Sequence, residues 1–272
     1  MLDVSKVTAA IEEVAAEDVL PRFQALAAHE VQEKVAGELV TVVDLAVERR
    51  LTARLLDLLP GSVVVGEEAA HADPRLMDRL TEDAPVWIVD PIDGTRNFAH
   101  GRPTFAIMVA LARRGEGVAA WILEPVSGRF GIAELGGGAW MGGRRLRVAP
   151  GDVPARMTGS LHASSYAPPE LARRVDRRRE RVTAVKSLRC AGAEYLRLAA
   201  GETQFSLFTR LMPWDHLPGT LIHSEAGGIA LCFDGTPYNA GRYREIGLLM
   251  APDRPSWDAL HATLLGVDAP GA

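Results

Sequence analysis

At three separated places in this chain, acids follow apolar segments directly. Val63-Val-Val65 runs into Gly66-Glu67-Glu68, Val86-Trp-Ile-Val89 into Asp90-Pro-Ile-Asp93-Gly94-Thr95, and Trp214 into Asp215-His216. Carboxylates gathered at buried strand ends lose hydration and repel one another, so a fold that brings them together calls for a divalent cation. The candidate ligands are oxygens, without a CxxC pair or paired histidines, which points to Mg²⁺ first, with Mn²⁺ or Ca²⁺ next, rather than zinc. Pro91 fixes the backbone between two acids, so that the Asp90 and Asp93 carboxylates and the Ile92 carbonyl face one centre. Gly94-Thr95 then enters a short helix, where N–H groups can take a phosphate and a hydroxyl can hold a water. Singly, Gly-Glu-Glu reads as a solvated turn and Asp215 as a helix N-cap. Together with the string from Trp87 to Thr95 they form a set too specific for those readings.

Periodicity supplies the frame. Val4, Val7, Ile11, Val14 and Leu20 recur at helical spacing and predict an amphipathic helix that Pro21 ends or kinks. A second helix follows Thr41-Val-Val-Asp44 and runs to Leu59, with Leu45, Leu51, Leu55 and Leu58 as its core face. Strands are expected at 105–111, 117–123 and 129–134 as a meander, and Pro150 to Pro154 marks a seam between lobes 1–150 and 151–272. Beyond it, helices at 191–200 and 215–226 alternate with strands at 204–208 and 229–233, and Gly227-Gly228 closes the second helix. Arg173 to Arg181 holds six arginines on a helix starting near Pro169, read as a solvated face.

Several classes of function are excluded at this level. Thirty Lys and Arg against 35 Asp and Glu give a net charge of −5, which disfavours a nucleic-acid coating protein. The longest apolar run, Phe105 to Ala112, falls far short of the roughly 20 residues that span a bilayer. The N-terminus lacks the layout of a secretion signal, so the expectation is a cytoplasmic protein whose two cysteines, Cys190 and Cys232, are ordinary thiols.

Four motifs in order, Leu39 to Asp44, Gly66-Glu-Glu68, Trp87 to Phe98, and Trp214-Asp215 through Glu225-Ala-Gly-Gly228, resemble the inositol monophosphatase family of metal-dependent, lithium-sensitive phosphatases. The resemblance implies an α+β fold, a layered α-β-α-β-α sandwich of the inositol monophosphatase and fructose-1,6-bisphosphatase type, commonly a homodimer, with the active site between the lobes. It further implies two or three Mg²⁺ per site, with Mn²⁺ as a substitute: Glu67, Asp90 and the Ile92 carbonyl around the first, Asp90, Asp93 and Asp215 around the second, and Glu67 at a third. Thr95 and Glu67 would activate a water, with Asp44 supporting the Thr95 hydroxyl. Gly94, Thr95, Asp93, Asp215 and Arg189 would hold the phosphate and substrate, and Lys34 would steer the anion from the mouth.

The expected substrate is a small phosphorylated alcohol, with inositol monophosphate as the family default. Two positions depart from that default. Arg189-Cys190-Ala191-Gly192 stands where inositol-recognising members have Gly-Thr-Ala, and Phe208 stands near their glutamate and cannot accept a polyol hydroxyl. Histidinol phosphate, a sugar bisphosphate or a nucleotide 3′-phosphate therefore stay open as substrates, as does a regulatory role in transcription or RNA processing. Arg189 is a candidate for a second anionic group, and Glu194 for a hydroxyl or amine.

Overall fold

Side chains alternate across a strand, and along these strands both faces are apolar, so each sheet must be covered twice. The computed structural model describes residues 2–35, 37–163 and 167–266. A hairpin, β1 (Val31–Val35) and β2 (Glu38–Thr41), stands apart from two larger sheets. The first has seven strands in chain order: β3 (Val63–Gly66), β4 (Val86–Asp93), β5 (Ala106–Arg113), β6 (Glu116–Glu124), β7 (Arg129–Glu134), β8 (Gly138–Met141) and β9 (Arg144–Arg145). The second orders β10 (Thr158–His162), β11 (Thr183–Ala184), β12 (Phe205–Phe208), β13 (Ile229–Cys232) and β14 (Leu248–Ala251) as β11-β10-β12-β14-β13.

Eight α-helices among the described residues fill the remaining layers: α1 (Val4–Val14), α2 (Val42–Leu58), α3 (Glu67–Ala72), α4 (Thr95–Ala99), α5 (Pro169–Arg177), α6 (Ala191–Ala199), α7 (Pro213–Glu225) and α8 (Arg254–Leu265). Trp87 and Val89 of β4 pack with Val7 and Ile11 of α1 and Leu51 and Leu55 of α2. Val86 and Ile88, on the opposite face, join Leu196 of α6, Leu221 of α7, and Leu248 and Met250 of β14. Leu249 and Ala251 of β14 turn outward onto Val175 of α5 and Trp257 and Leu260 of α8. Three apolar seams thus bind five layers into an α-β-α-β-α sandwich of the α+β class.

Several local expectations need correction. Leu45 is 46% exposed, because it sits two residues from both Val43 and Val47, which α2 buries with Leu51 and Leu55. After α1 the helix widens into a π turn over Ala15–Val19, and Pro21 falls in a short 3₁₀ turn that leaves Leu20 exposed. Helix α7 starts at Pro213, two residues before the expected Asp215, so the acid lies in its first turn. The arginine segment is not wholly solvated either. Arg178 is buried and donates to the Gly266 carbonyl, and Arg174 Nη1 donates to the Leu265 carbonyl at 3.0 Å, so two of the six satisfy the end of α8. Strand β14 and helix α8 were not anticipated, although Asp253 caps α8 through the Ser256 N–H at 2.8 Å.

The central helix α7 shows how tightly the layers fit. A Cβ on Gly219 would lie 2.1 Å from the ring of Tyr195, a fully buried residue of α6. Gly219→Ala should therefore cost about 1–3 kcal/mol of stability by overpacking, measured by urea denaturation. His223, at the other end of α7, is buried and donates through Nε2 to the Ala251 carbonyl at 3.1 Å, and burial lowers its imidazole to about 4. Below the ordinary histidine value of about 6.5 the unfolded chain takes the proton first. The stability His223 contributes is therefore complete above that pH and falls toward pH 4, by about 1.4 kcal/mol per unit. Denaturation between pH 7 and 4.5 should show a steeper decline for the unmodified protein than for His223→Gln.

Candidate active site

The strand β4 carries the centre of the site, and a bulge aims it. Pairing with β5 goes from Asp90 opposite Met108 to Asp93 opposite Ala106, so β4 advances three residues while β5 advances two. In a regular strand, side chains three apart point to opposite faces. The extra residue turns Asp90 and Asp93 to the same side, and Pro91, which has no N–H for the ladder, sits at the irregularity. Asp215 reaches the same place from the first turn of α7, and one carboxylate oxygen from each of the three acids falls within 4.8 Å of the others.

Among the described residues the charge of this trio is offset only in part, by the Arg210 guanidinium acting on Asp215. Asp90 is 1% exposed and its Oδ1 has no hydrogen-bond partner. Burial first, then the charges of Glu67, Asp93 and Asp215, push the Asp90 carboxyl far above its ordinary range. Burial, Glu67 and Asp93 do the same to Asp215. Asp93 is also raised by burial, but its Oδ2 accepts the Gly192 N–H at 2.6 Å and the Cys190 thiol at 3.0 Å, which oppose the shift. A buried, oxygen-only, partly unsatisfied donor set fits a hard divalent cation.

Around the trio lie Asp44, Thr95, Gly94 and Glu67. Asp44, buried at the start of α2, accepts the Thr41 N–H at 2.8 Å, and the Thr41 hydroxyl at 2.5 Å. Its other oxygen lies 3.1 Å from Thr95 Oγ1, which is also 2.8 Å from the Ile92 carbonyl. Burial raises Asp44 to about 7, against the hydrogen bonds from Thr41. Gly94 adopts φ +84°, and a Cβ there would press at 3.2 Å on the Arg189 carbonyl and at 3.3 Å on Cys190 Cβ, so a larger residue would be strained. Glu67 opens α3, whose first N–H groups are held by Glu48 through Glu68 N and Ala69 N, both at 2.8 Å. It faces the same cavity but lies outside the trio, 2.7 Å from Lys34 Nζ.

Lys34 itself overturns the expectation of an exposed, steering lysine. Its side chain is 5% exposed and also meets Glu68 at 2.6 Å; burial works against its charge, but the two glutamates hold it protonated above the ordinary range. Glu194 is corrected as well. It is 4% exposed and accepts from the Ser160 hydroxyl, the Leu188 N–H at 2.9 Å and His162 Nε2 at 2.5 Å, so it braces the wall and does not reach a substrate.

The cavity lined by Glu67, Asp93, Gly94, Thr95 and Asp215 measures about 480 Å³. Its far wall is formed by His162, Arg189, Phe208, Thr209 and Arg210. Phe208 stacks on His162 with ring centres 4.4 Å apart and planes at 13°. His216 Nε2 donates to the Arg210 carbonyl at 2.7 Å, which leaves Nδ1 to accept from Tyr195 at 2.9 Å and locks the turn before Asp215. Three contributors escaped the sequence reading: Cys190 as a donor to Asp93, His162 in the wall, and Asn97, whose Nδ2 donates to Thr104 O at 2.7 Å and Leu188 O at 2.9 Å. Asn97 had a local signal in its place inside the Trp87 to Phe98 string, and Cys190 in its place within Arg189-Cys190-Ala191-Gly192; His162 had none.

Three carboxylates that can hold a metal ion, a threonine-aspartate pair and a glycine-threonine helix start meet beside this cavity, an arrangement that fits a phosphatase. The chain belongs to the inositol monophosphatase family, whose sequence profile matches residues 2–266. It is 31% identical over 210 residues to a protein of Thermotoga maritima named fructose-1,6-bisphosphatase/inositol-1-monophosphatase, covering 76% of this chain and 77% of that one. A Pseudomonas aeruginosa protein named Nus factor SuhB is 32% identical over 245 residues, covering 86% and 85%. The crystal structure of the extragenic suppressor protein SuhB from Bartonella henselae superposes with a TM-score of 0.80 at 23% identity, over 96% of this chain and 99% of that one, and supports the fold. No helix among the described residues is long and apolar enough to cross a membrane.

The charge balance of the trio has a measurable sign. In protein stripped of divalent ions, Asp90→Asn should raise stability by about 1 kcal/mol or more at pH 8, because it removes a buried acid, one oxygen of which has no partner, from a repelling cluster. Added Mg²⁺ should raise the melting temperature of the unmodified protein and not of that variant, as read by differential scanning fluorimetry.

Proposed function

We propose that this protein is a Mg²⁺-dependent phosphomonoesterase acting on a small phosphorylated alcohol or polyol. The observation that carries this reading is the meeting of Asp90, Asp93 and Asp215 within 4.8 Å beside the Thr95–Asp44 pair, in a cavity of about 480 Å³. Asp90, Asp93 and Asp215 would hold Mg²⁺, with Glu67 and the Ile92 carbonyl as further ligands at the same cavity. Bound there, the cation supplies an acidified water and charge neutralisation for the phosphoryl group and the leaving oxygen.

The chain's own residues supply the rest. Thr95 orients the attacking water through its hydroxyl, and Asp44, fixed by two bonds from Thr41, holds that hydroxyl in place and receives the proton. The Gly94 and Thr95 N–H groups take phosphate oxygens, helped by the left-handed turn that glycine adopts without strain. Names within the family attach to fructose bisphosphate and inositol phosphate alike, so membership by itself leaves the alcohol open. A homodimer and inhibition by Li⁺ belong to the same reading.

Phosphate release from inositol 1-phosphate, fructose 1,6-bisphosphate and glycerol 2-phosphate, with and without Mg²⁺, tests the proposal. At least one substrate should be turned over only with the metal, and Asp93→Asn should lose roughly 100-fold or more in kcat with its melting temperature retained. Full turnover by that variant would sink the mechanism.

A further inference from the structure

Arg189 adopts φ +56°, in the left-handed region where a residue with a Cβ pays a steric penalty that glycine does not. The strain is imposed from outside. Asn97 donates to the Leu188 carbonyl at 2.9 Å, Glu194 accepts the Leu188 N–H at 2.9 Å, and the Ser187 hydroxyl accepts the Arg189 N–H at 3.0 Å. A strained residue so firmly held in a cavity wall is a mark of function.

The surroundings say what that function is. Arg189 stands between the active-site cavity and a neighbouring recess of about 510 Å³, and lines both. The recess is also lined by Arg102 and Lys186, with Asn97, Thr104 and Ser187, and by no acid among the described residues. Among the described residues, the charged ends of Arg102, Lys186 and Arg189 make no ion pair. On the cavity side, the far wall offers His162, Phe208, Thr209 and Arg210, with no carboxylate among them to accept the hydroxyls of a neutral polyol. Glu38, the nearby acid of that lining, is paired with Arg210. Cations without competing acceptors select an anion.

We infer that Arg189 is a specificity residue for a phosphate monoester whose alcohol part carries a second anionic group, phosphate or carboxylate, received at the cationic recess formed with Arg102 and Lys186. The inference rests on the phosphatase reading for its reaction and on the recess for its selectivity. The group being hydrolysed stays at the acids, and the second anion extends past Arg189.

The test compares kcat/KM for fructose 1,6-bisphosphate (second phosphate) and 3-phosphoglycerate (carboxylate) with that for glycerol 2-phosphate. The unmodified enzyme should prefer one of the doubly anionic esters by tenfold or more, and which one identifies the second group. Arg189→Gly should cut that preference at least tenfold while raising the melting temperature, since glycine relieves the backbone; Arg189→Lys should restore part of the preference. Equal or better hydrolysis of glycerol 2-phosphate by the unmodified enzyme, or an unchanged ratio in Arg189→Gly, overturns the inference and leaves the phosphatase reading standing. Should no ester be hydrolysed, the phosphatase reading falls, and thermal shifts by the same three compounds decide the recess. A shift by a doubly anionic ester that Arg189→Gly abolishes supports it, and identical shifts in both proteins overturn it.

Discussion

The mutual repulsion of Asp90, Asp93 and Asp215 is the constraint on which the rest of this structure turns. Three carboxylates converge at a place where water is excluded from one of them altogether. Burial and like charge both work against ionisation there. The protein tolerates this only by fixing each acid from behind: Asp93 by the Gly192 N–H and Cys190 thiol, Asp215 by the locked turn that His216 and Tyr195 hold, and Asp90 by the fully buried strand β4. What remains unsatisfied faces inward, and is complementary to a cation.

The same economy governs the surrounding shell. Two groups of paired buried polar side chains end at segments that line the cavity. Glu48 holds the N-terminus of α3 and so the position of Glu67; Glu194 ties Ser160, His162 and Leu188 together and so the wall and the Arg189 turn. Lys34 closes over two glutamates. The sandwich supplies stiffness for this arrangement, since α6 and α7, which carry Gly192 and Asp215, are packed between the two sheets in one continuous apolar seam.

Much of the fold was legible in the chain because local physics wrote it there. The Thr41 cap of α2, the antiparallel run from 106 to 134 and the glycine closure of α7 are each set by residues within a few positions of one another. Errors arose where the deciding partner was remote in sequence. Leu45 has an apolar side chain, and only the rotation of α2 against β4 leaves it in water. Arg178 and Arg174 look like solvent-facing charges until the end of α8, some 90 residues on, appears beside them as a row of carbonyls. Lys34 reads as exposed until the hairpin carrying it closes over α3.

The sequence by itself determined which atoms are available: acids behind apolar strands, a proline between two of them, a glycine and threonine after, and the motif order that marks the family. Those are properties of neighbours along the chain, where steric and capping rules act. Tertiary structure decided which of these atoms meet. It took a bulge to turn Asp90 and Asp93 to one side, and a helix more than a hundred residues later to deliver Asp215. It also set Glu67 against Lys34, committed Glu194 to the wall, and placed Arg189 on the partition between two cavities. Such choices depend on packing between distant segments, and pairwise distance in space is not written in spacing along a chain.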